Sequence, residues 1–224
     1  MVTGLLEFAA AGYTFLSSGR KRILYPVGLL FLLLAAYQFS EVAVCAHPEN
    51  LLFARIAFFD ITWLPPLGLW LTYQLGFSDK KSFKTLPLAY FAAALGLVMW
   101  IFLDPNCVTK SVCQLVIARY VHLSPFDLVY GIFYQSGLVV FIFWAAAGMV
   151  RTVDPVLKKN LANVQMGVLG FVLPSLYVRI LYPEPDGILP SVMCHFALIL
   201  AFFLFILVIR ERRTLRSQTK LVNE

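Results

Sequence analysis

Charged side chains are scarce in this chain: 18 Lys and Arg with 12 Asp and Glu make up 13% of 224 residues, about half the share usual in a soluble domain. A water-facing surface of ordinary charge density is thereby excluded. Histidine is scarcer still. Its three copies show no H-x-x-x-H or E-x-x-H spacing, so the helical zinc signatures that put ligands one turn apart are absent. The four Cys stand at 45, 107, 113 and 194, without the Cys-x-x-Cys pairs of zinc ribbons or redox sites. No glycine-rich phosphate loop occurs, and the last apolar run has no Lys to form a retinal Schiff base. Composition and motifs name no cofactor.

Apolar residues fill the chain instead: 60% are hydrophobic, 15% aromatic, and the mean hydropathy is +0.80. A water-soluble domain of this composition would expose large apolar patches, whereas runs of about 20 apolar residues match the hydrocarbon thickness of a bilayer. Seven such runs are read at 3–18, 23–44, 51–75, 86–103, 127–150, 161–182 and 187–209. The expected fold class is all-α: a polytopic membrane protein with a single seven-helix transmembrane bundle over residues 1–209. Its outer loop 104–126 serves as a cap, and residues 210–224 form a basic cytoplasmic tail.

Basic residues fall in alternate joints: Arg20, Lys21 and Arg22; Lys80, Lys81 and Lys84; Arg151, Lys158 and Lys159; then Arg210, Arg212, Arg213, Arg216 and Lys220. The positive-inside rule makes these joints cytoplasmic and places the N-terminus outside. The net charge of +6 is then a topology signal that also meets anionic lipid head groups. It is not a nucleic-acid footprint. A cleavable signal peptide is not expected, because Glu7 interrupts the first apolar run and the positive cluster follows it. Cys107 and Cys113 share the outer loop and are the expected disulfide, with Cys45 at the outer end of the second span the alternative partner for either. Pro65-Pro66 and Pro174 lie inside spans, where each missing N–H should kink its helix.

An ionisable or strongly polar side chain inside a span needs a partner or water. Glu7, Gln38, Glu41, Arg55, Asp60, Gln135, Arg179 and His195 all fall in the outer halves of their spans. Spacings of three and four put Tyr37, Gln38, Glu41 and Cys45 on one stripe, and likewise Ser175, Arg179 and Tyr182, and Ser191 with His195. The expectation is an outward-facing polar pocket whose ligand-binding residues are Gln38, Glu41, Arg55, Asp60, Gln135, Arg179 and His195. Each charge has a competing reading as half of a structural ion pair, and Arg55 and Arg179 also lie near enough to the outer surface to snorkel. His195, Asp60 and Glu41 would form a His/Asp/Glu metal set, but a lone histidine in a span is more often hydrogen-bonded structure, and no metal ligand is assigned. Ser191 and His195 face the same way without an orienting acid, so no catalytic residue is assigned either.

The run Phe53-Ala-Arg-Ile-Ala-Phe-Phe-Asp60-Ile-Thr-Trp-Leu-Pro-Pro66, with Leu189-Pro-Ser-Val-Met-Cys-His195, resembles the bacterial seven-transmembrane sensor regions that precede histidine kinases. Gln38-Phe-Ser-Glu41 is similar to a Gln-x-x-Glu in the second span of small uncharacterised bacterial seven-helix membrane proteins. The resemblance implies a multi-pass protein of the cell membrane, in bacteria the inner membrane. The chain stops about 15 residues after the last span, so the same resemblance implies a ligand-sensing or membrane-organising module whose output passes through a separate membrane or cytoplasmic protein.

The leading function is therefore a non-enzymatic, receptor-like or accessory module that binds a small polar or amphipathic ligand, or a partner helix, in its outer half. One alternative is an intramembrane lipid hydrolase or transferase using Asp60, Glu41 and His195, with or without a metal. The other is a structural subunit of a larger membrane complex.

Overall fold

The computed structural model describes residues 2–114, 117–121, 125–181 and 189–223; of these, the side chains at 114, 117–119, 121, 179, 189–194, 216 and 218–223 lie outside the description. The described chain is built from helices α1 (Val2–Leu16), α2 (Lys21–Ala46), α3 (Leu51–Thr62), α4 (Leu64–Gly76), α5 (Thr85–Leu103), α6 (Phe126–Arg151), α7 (Pro155–Leu181) and α8 (Leu189–Asn223). A 3-10 turn, Lys81–Lys84, precedes α5, and an antiparallel hairpin of β1 (Lys110–Gln114) and β2 (Ile117–Val121) separates α5 from α6. Five stretches among the described residues are long and apolar enough to cross a membrane: Lys21–Ala46, Leu51–Gly76, Lys81–Leu103, Phe126–Arg151 and Pro155–Val178. The protein is thus all-α and polytopic, and α1 is apolar but only 15 residues long.

Helix boundaries follow local chemistry. Asn50 caps α3 by accepting the Leu52 N–H at 3.1 Å, and Asp154 caps α7 by accepting the Val156 N–H at 2.8 Å. That cap, followed by Pro155 at the first helical position, starts α7 six residues before the sequence expectation. Ser124, the expected cap of α6, lies outside the described residues, while Asp127 does sit in the first turn of α6. The expected break in the third span is present: Pro65 and Pro66 have no N–H for the carbonyls of Ile61 and Thr62, so the helix stops at Thr62 and restarts at Leu64. By contrast α7 stays helical across Pro174. The stretch expected as a tail continues α8 to Asn223, since Glu211-Arg-Arg-Thr-Leu-Arg216 contains no glycine or proline to stop it.

The third span is the centre of the bundle: 61% of the Leu51–Gly76 window is buried against 22% for Lys81–Leu103. That contrast makes α5 peripheral, as its lack of internal charge implies, with Leu95, Met99 and Leu103 exposed. Without a hydrophobic driving force between helices in lipid, close approach comes from small residues. A Cβ at Gly68 of α4 would stand 2.5 Å from Phe141 of α6, and one at Gly137 of α6 would stand 2.6 Å from Pro65. These two positions let α4 and α6 meet backbone to side chain.

The joints gather at two ends. At one, Arg151 donates to Asp79 at 2.8 Å, and Arg20 lies 3.9 Å from Asp154, so the basic joints share a surface. At the other, the hairpin caps the bundle: Tyr120 is fully buried and meets Phe58 edge-on at 5.1 Å, beside Phe126 and Tyr130. Ser111 ties the hairpin to Pro48 by a 2.7 Å hydrogen bond.

This placement corrects the expected disulfide. Cys113 is bonded to Cys45 rather than to Cys107, because β1 lies across the end of α2, bringing the two Cα atoms to 5.1 Å. Cys107 is instead a buried thiol in the turn after α5, with its Sγ donating to the Trp100 carbonyl at 3.4 Å. Burial, with Asp104 adding negative charge, pushes that thiol up to about 11. Mass spectrometry without reductant should find Cys45 linked to Cys113. Iodoacetamide at about pH 8 should leave Cys107 unmodified until the protein unfolds, because the thiolate is the nucleophile. A Cys107–Cys113 link would contradict the position of the hairpin.

Candidate functional site

α1 lies along α2 and α8 without closing on the latter. Ala9 and Ala10 of α1 and Ala201 of α8 line the space between them, and small side chains cannot fill the space between two helix axes. The result is a cavity of about 720 Å³, lined by Leu6, Glu7, Ala9, Ala10 and Tyr13 of α1, Phe31 of α2, and Leu198, Ile199, Ala201, Phe202 and Phe205 of α8. Its size falls in the range of ligand sites, roughly 300–1,000 Å³. The Tyr13 and Phe205 rings, 5.5 Å apart, meet at its wall. The Tyr13 hydroxyl is bonded at 2.5 Å by Arg212.

Glu7 is the one ionisable carboxyl among these residues, and it is only 1% exposed. Its Oε2 accepts from Gln38 Nε2 at 2.9 Å, while the Thr3 hydroxyl donates to Gln38 Oε1 and so holds that amide in place. Its Oε1 is buried and has no hydrogen-bond partner among the described residues. A buried acceptor left unmatched is costly.

The residues expected to line one polar pocket engage different neighbours. Gln38 belongs to the Glu7 group just described. Glu41 accepts from Tyr37 of its own helix at 3.3 Å. Asp60, 5% exposed, accepts from the Ser40 hydroxyl at 3.3 Å, joining α3 to α2 just before the helix break. Arg55 turns away from both acids and donates to the Pro105 carbonyl at 3.2 Å. There its charge, after the Asn106 backbone and the Trp100 indole, helps hold the Asp104 carboxyl below the usual range. Gln135 is half-buried on α6, and His195 is exposed on α8. Arg179 lies on α7 with its side chain outside the described residues, and Tyr182 and His122 lie outside them altogether. Ser175, expected on a polar stripe with Arg179, donates to its own Phe171 carbonyl at 2.7 Å. Among the described residues no group of three His, Cys, Asp or Glu stands close enough to hold a metal ion.

The most heavily bonded polar group was not anticipated from the sequence. At the basic end Glu211, 2% exposed, accepts two hydrogen bonds from Arg20, one of them at 2.7 Å, and one from Asn160 at 2.6 Å. Arg210 donates to Asn160 Oδ1 at 3.1 Å. The hydrogen bond to Glu211 raises the Arg20 pKa further, so the guanidinium stays charged. This cluster fastens the α1–α2 joint to α7 and α8, and thereby fixes one end of the helices that bound the cavity. The signal in the sequence is a single acid within a run of arginines, Arg210-Glu-Arg-Arg213.

What fold and cavity define together is a class: an all-α polytopic membrane protein with an apolar cavity beside one buried carboxyl. No protein-family model, curated protein or solved structure matches the chain. The clasp gives a direct test of the frame. Glu211→Ala strands Arg20 and should cost about 2–3 kcal/mol of stability. That is at or just below the range of about 3–5 kcal/mol for breaking a buried pair, because Arg20 remains 26% exposed. Denaturant titration in detergent reads it; a loss below about 0.5 kcal/mol would mark an ordinary surface pair.

Proposed function

We propose that this chain is a receptor-like or accessory membrane module, non-enzymatic, that holds an amphipathic molecule in the cavity between α1, α2 and α8. The observation that carries this reading is the cavity itself: an apolar wall from three helices, with the buried Glu7 at its edge, that opens between Leu6 and Phe202, 57% and 61% exposed. Such a site suits an apolar chain. In the topology we infer, all seven apolar segments cross the bilayer, with the basic end cytoplasmic and the hairpin end outside. The ion pairs that gather the basic joints on one surface support it. Glu7 then lies in the outer half, and the opening faces hydrocarbon. The ligand enters from the lipid phase.

Catalysis by Asp60, Glu41 and His195 is less well supported, because Asp60 bonds to Ser40 and Glu41 to Tyr37, while His195 lies exposed on α8. A reaction would need at least two of these groups around one atom. The binding reading needs only the cavity.

Native mass spectrometry of the protein released from nanodiscs tests it. A bound molecule of lipid-like mass should survive delipidation, and Ala10→Phe, which fills the cavity, should lower its occupancy about tenfold, equivalent to about 1.4 kcal/mol. Adducts that are absent, or that ignore Ala10→Phe, would contradict the assignment.

A further inference from the structure

We propose that the cavity takes an acyl chain of an anionic phospholipid from the leaflet at the basic end, with Arg212 holding the lipid phosphate; this rests on the cavity being the ligand site. Helical register places the two parts together. Leu198, Phe202 and Phe205 line the cavity from α8 at spacings of four and three, and Arg212, two turns beyond Phe205, falls within about 20° of the same face and about 10 Å nearer the basic end. On α1, Leu6, Ala10 and Tyr13 repeat the spacing. The two stripes meet at their ends: Arg212 Nη1 donates to the Tyr13 hydroxyl at 2.5 Å, and its guanidinium lies 5.5 Å from the centre of that ring. Tyr13 therefore lines the apolar cavity with its ring and carries a cation on its hydroxyl.

Charge then selects the head. The described acids at this end are engaged elsewhere: Glu211 with Arg20 and Asn160, Asp154 with Arg20, and Asp79 with Arg151. Among the described residues Arg212 makes no ion pair, and the Nε–Nη2 edge of its guanidinium has no hydrogen-bond partner. That free edge is a planar fork, and two phosphate oxygens match it. Arg212 is half-buried, while Lys21, Arg22 and Arg213 are exposed. The clasp between Arg20 and Glu211, their sequence neighbours, keeps all four cations at one end. Such a group favours a head of net negative charge and opposes the ammonium of a choline head.

Nanodiscs of equal parts phosphatidylglycerol and phosphatidylcholine, loaded with the full chain and read by native mass spectrometry of the released protein, test the proposal. Retained phosphatidylglycerol should exceed phosphatidylcholine about fivefold, the equivalent of the roughly 1 kcal/mol that one basic residue contributes at an anionic surface. Arg212→Gln, which keeps a donor for the Tyr13 hydroxyl, should bring the ratio to about one while phosphatidylcholine is still retained, which shows the fold intact. Arg213→Gln, exposed on another face of α8, should change the ratio less than about twofold. Equal retention in the unaltered chain, a preference that survives Arg212→Gln, or one that falls as far with Arg213→Gln would overturn the assignment of the head to Arg212; adducts that are then still lost on Ala10→Phe would leave the cavity as a site for apolar chains. Retention of neither lipid, or adducts unaffected by Ala10→Phe, would overturn the cavity as well.

Discussion

Hydrocarbon offers no hydrogen bonds, so every polar group in the spans must find its partner within the protein. The structure is largely a consequence of that constraint. Backbone groups are satisfied in helices, and the hydroxyls of Thr14, Thr72 and Ser175 bond carbonyls of their own helices. Where two prolines remove donors, the chain breaks at Trp63, and the Thr62 hydroxyl bonds the Phe58 carbonyl beside the Tyr130 hydroxyl. Among the described residues a few buried atoms still lack a hydrogen-bond partner, in the side chains of Glu7, Trp144, Asn163 and Gln165 for example, and of these residues Glu7 lines the cavity.

Two fasteners of different chemistry hold the helices at the two ends. Cys45–Cys113 locks the hairpin to α2, and its buried Tyr120 closes the bundle over Phe58. At the other end Glu211 gathers Arg20, Asn160 and, through Asn160, Arg210. Between them α1 packs along α2, bonded to Gln38 through Thr3 and Glu7, and reaches α8 through Tyr13, which Arg212 bonds and Phe205 meets. Its middle faces α8 across small residues. A helix packed on one neighbour and set off from another by small side chains leaves a cavity in an otherwise close-packed interior.

Much of the scaffold was legible in the sequence because its signals are local. The apolar runs, the alternation of basic joints, the Pro65-Pro66 break and the polar stripe Tyr37–Glu41 depend on composition and helical period alone. The disulfide partner was not legible, since it depends on where a hairpin crosses α2. The stripe was also misjudged in one respect. Gln38 and Glu41 are three residues apart, about 60° around the helix, enough for Gln38 to turn to α1 while Glu41 bonds Tyr37. Glu211 escaped notice because a charge in a basic run reads as solvated, and only the fold shows it buried between Arg20 and Asn160.

The central claim is that Glu7 and the apolar wall around it form a site for a lipid-phase ligand. A density map of the protein in lipid nanodiscs tests this most directly. The account predicts elongated density between α1 and α8, against Leu6, Phe31 and Phe202, that is absent in Ala10→Phe. A map in which α1 closes onto α8, with Leu6 against Phe202 and no room for a chain, would contradict it.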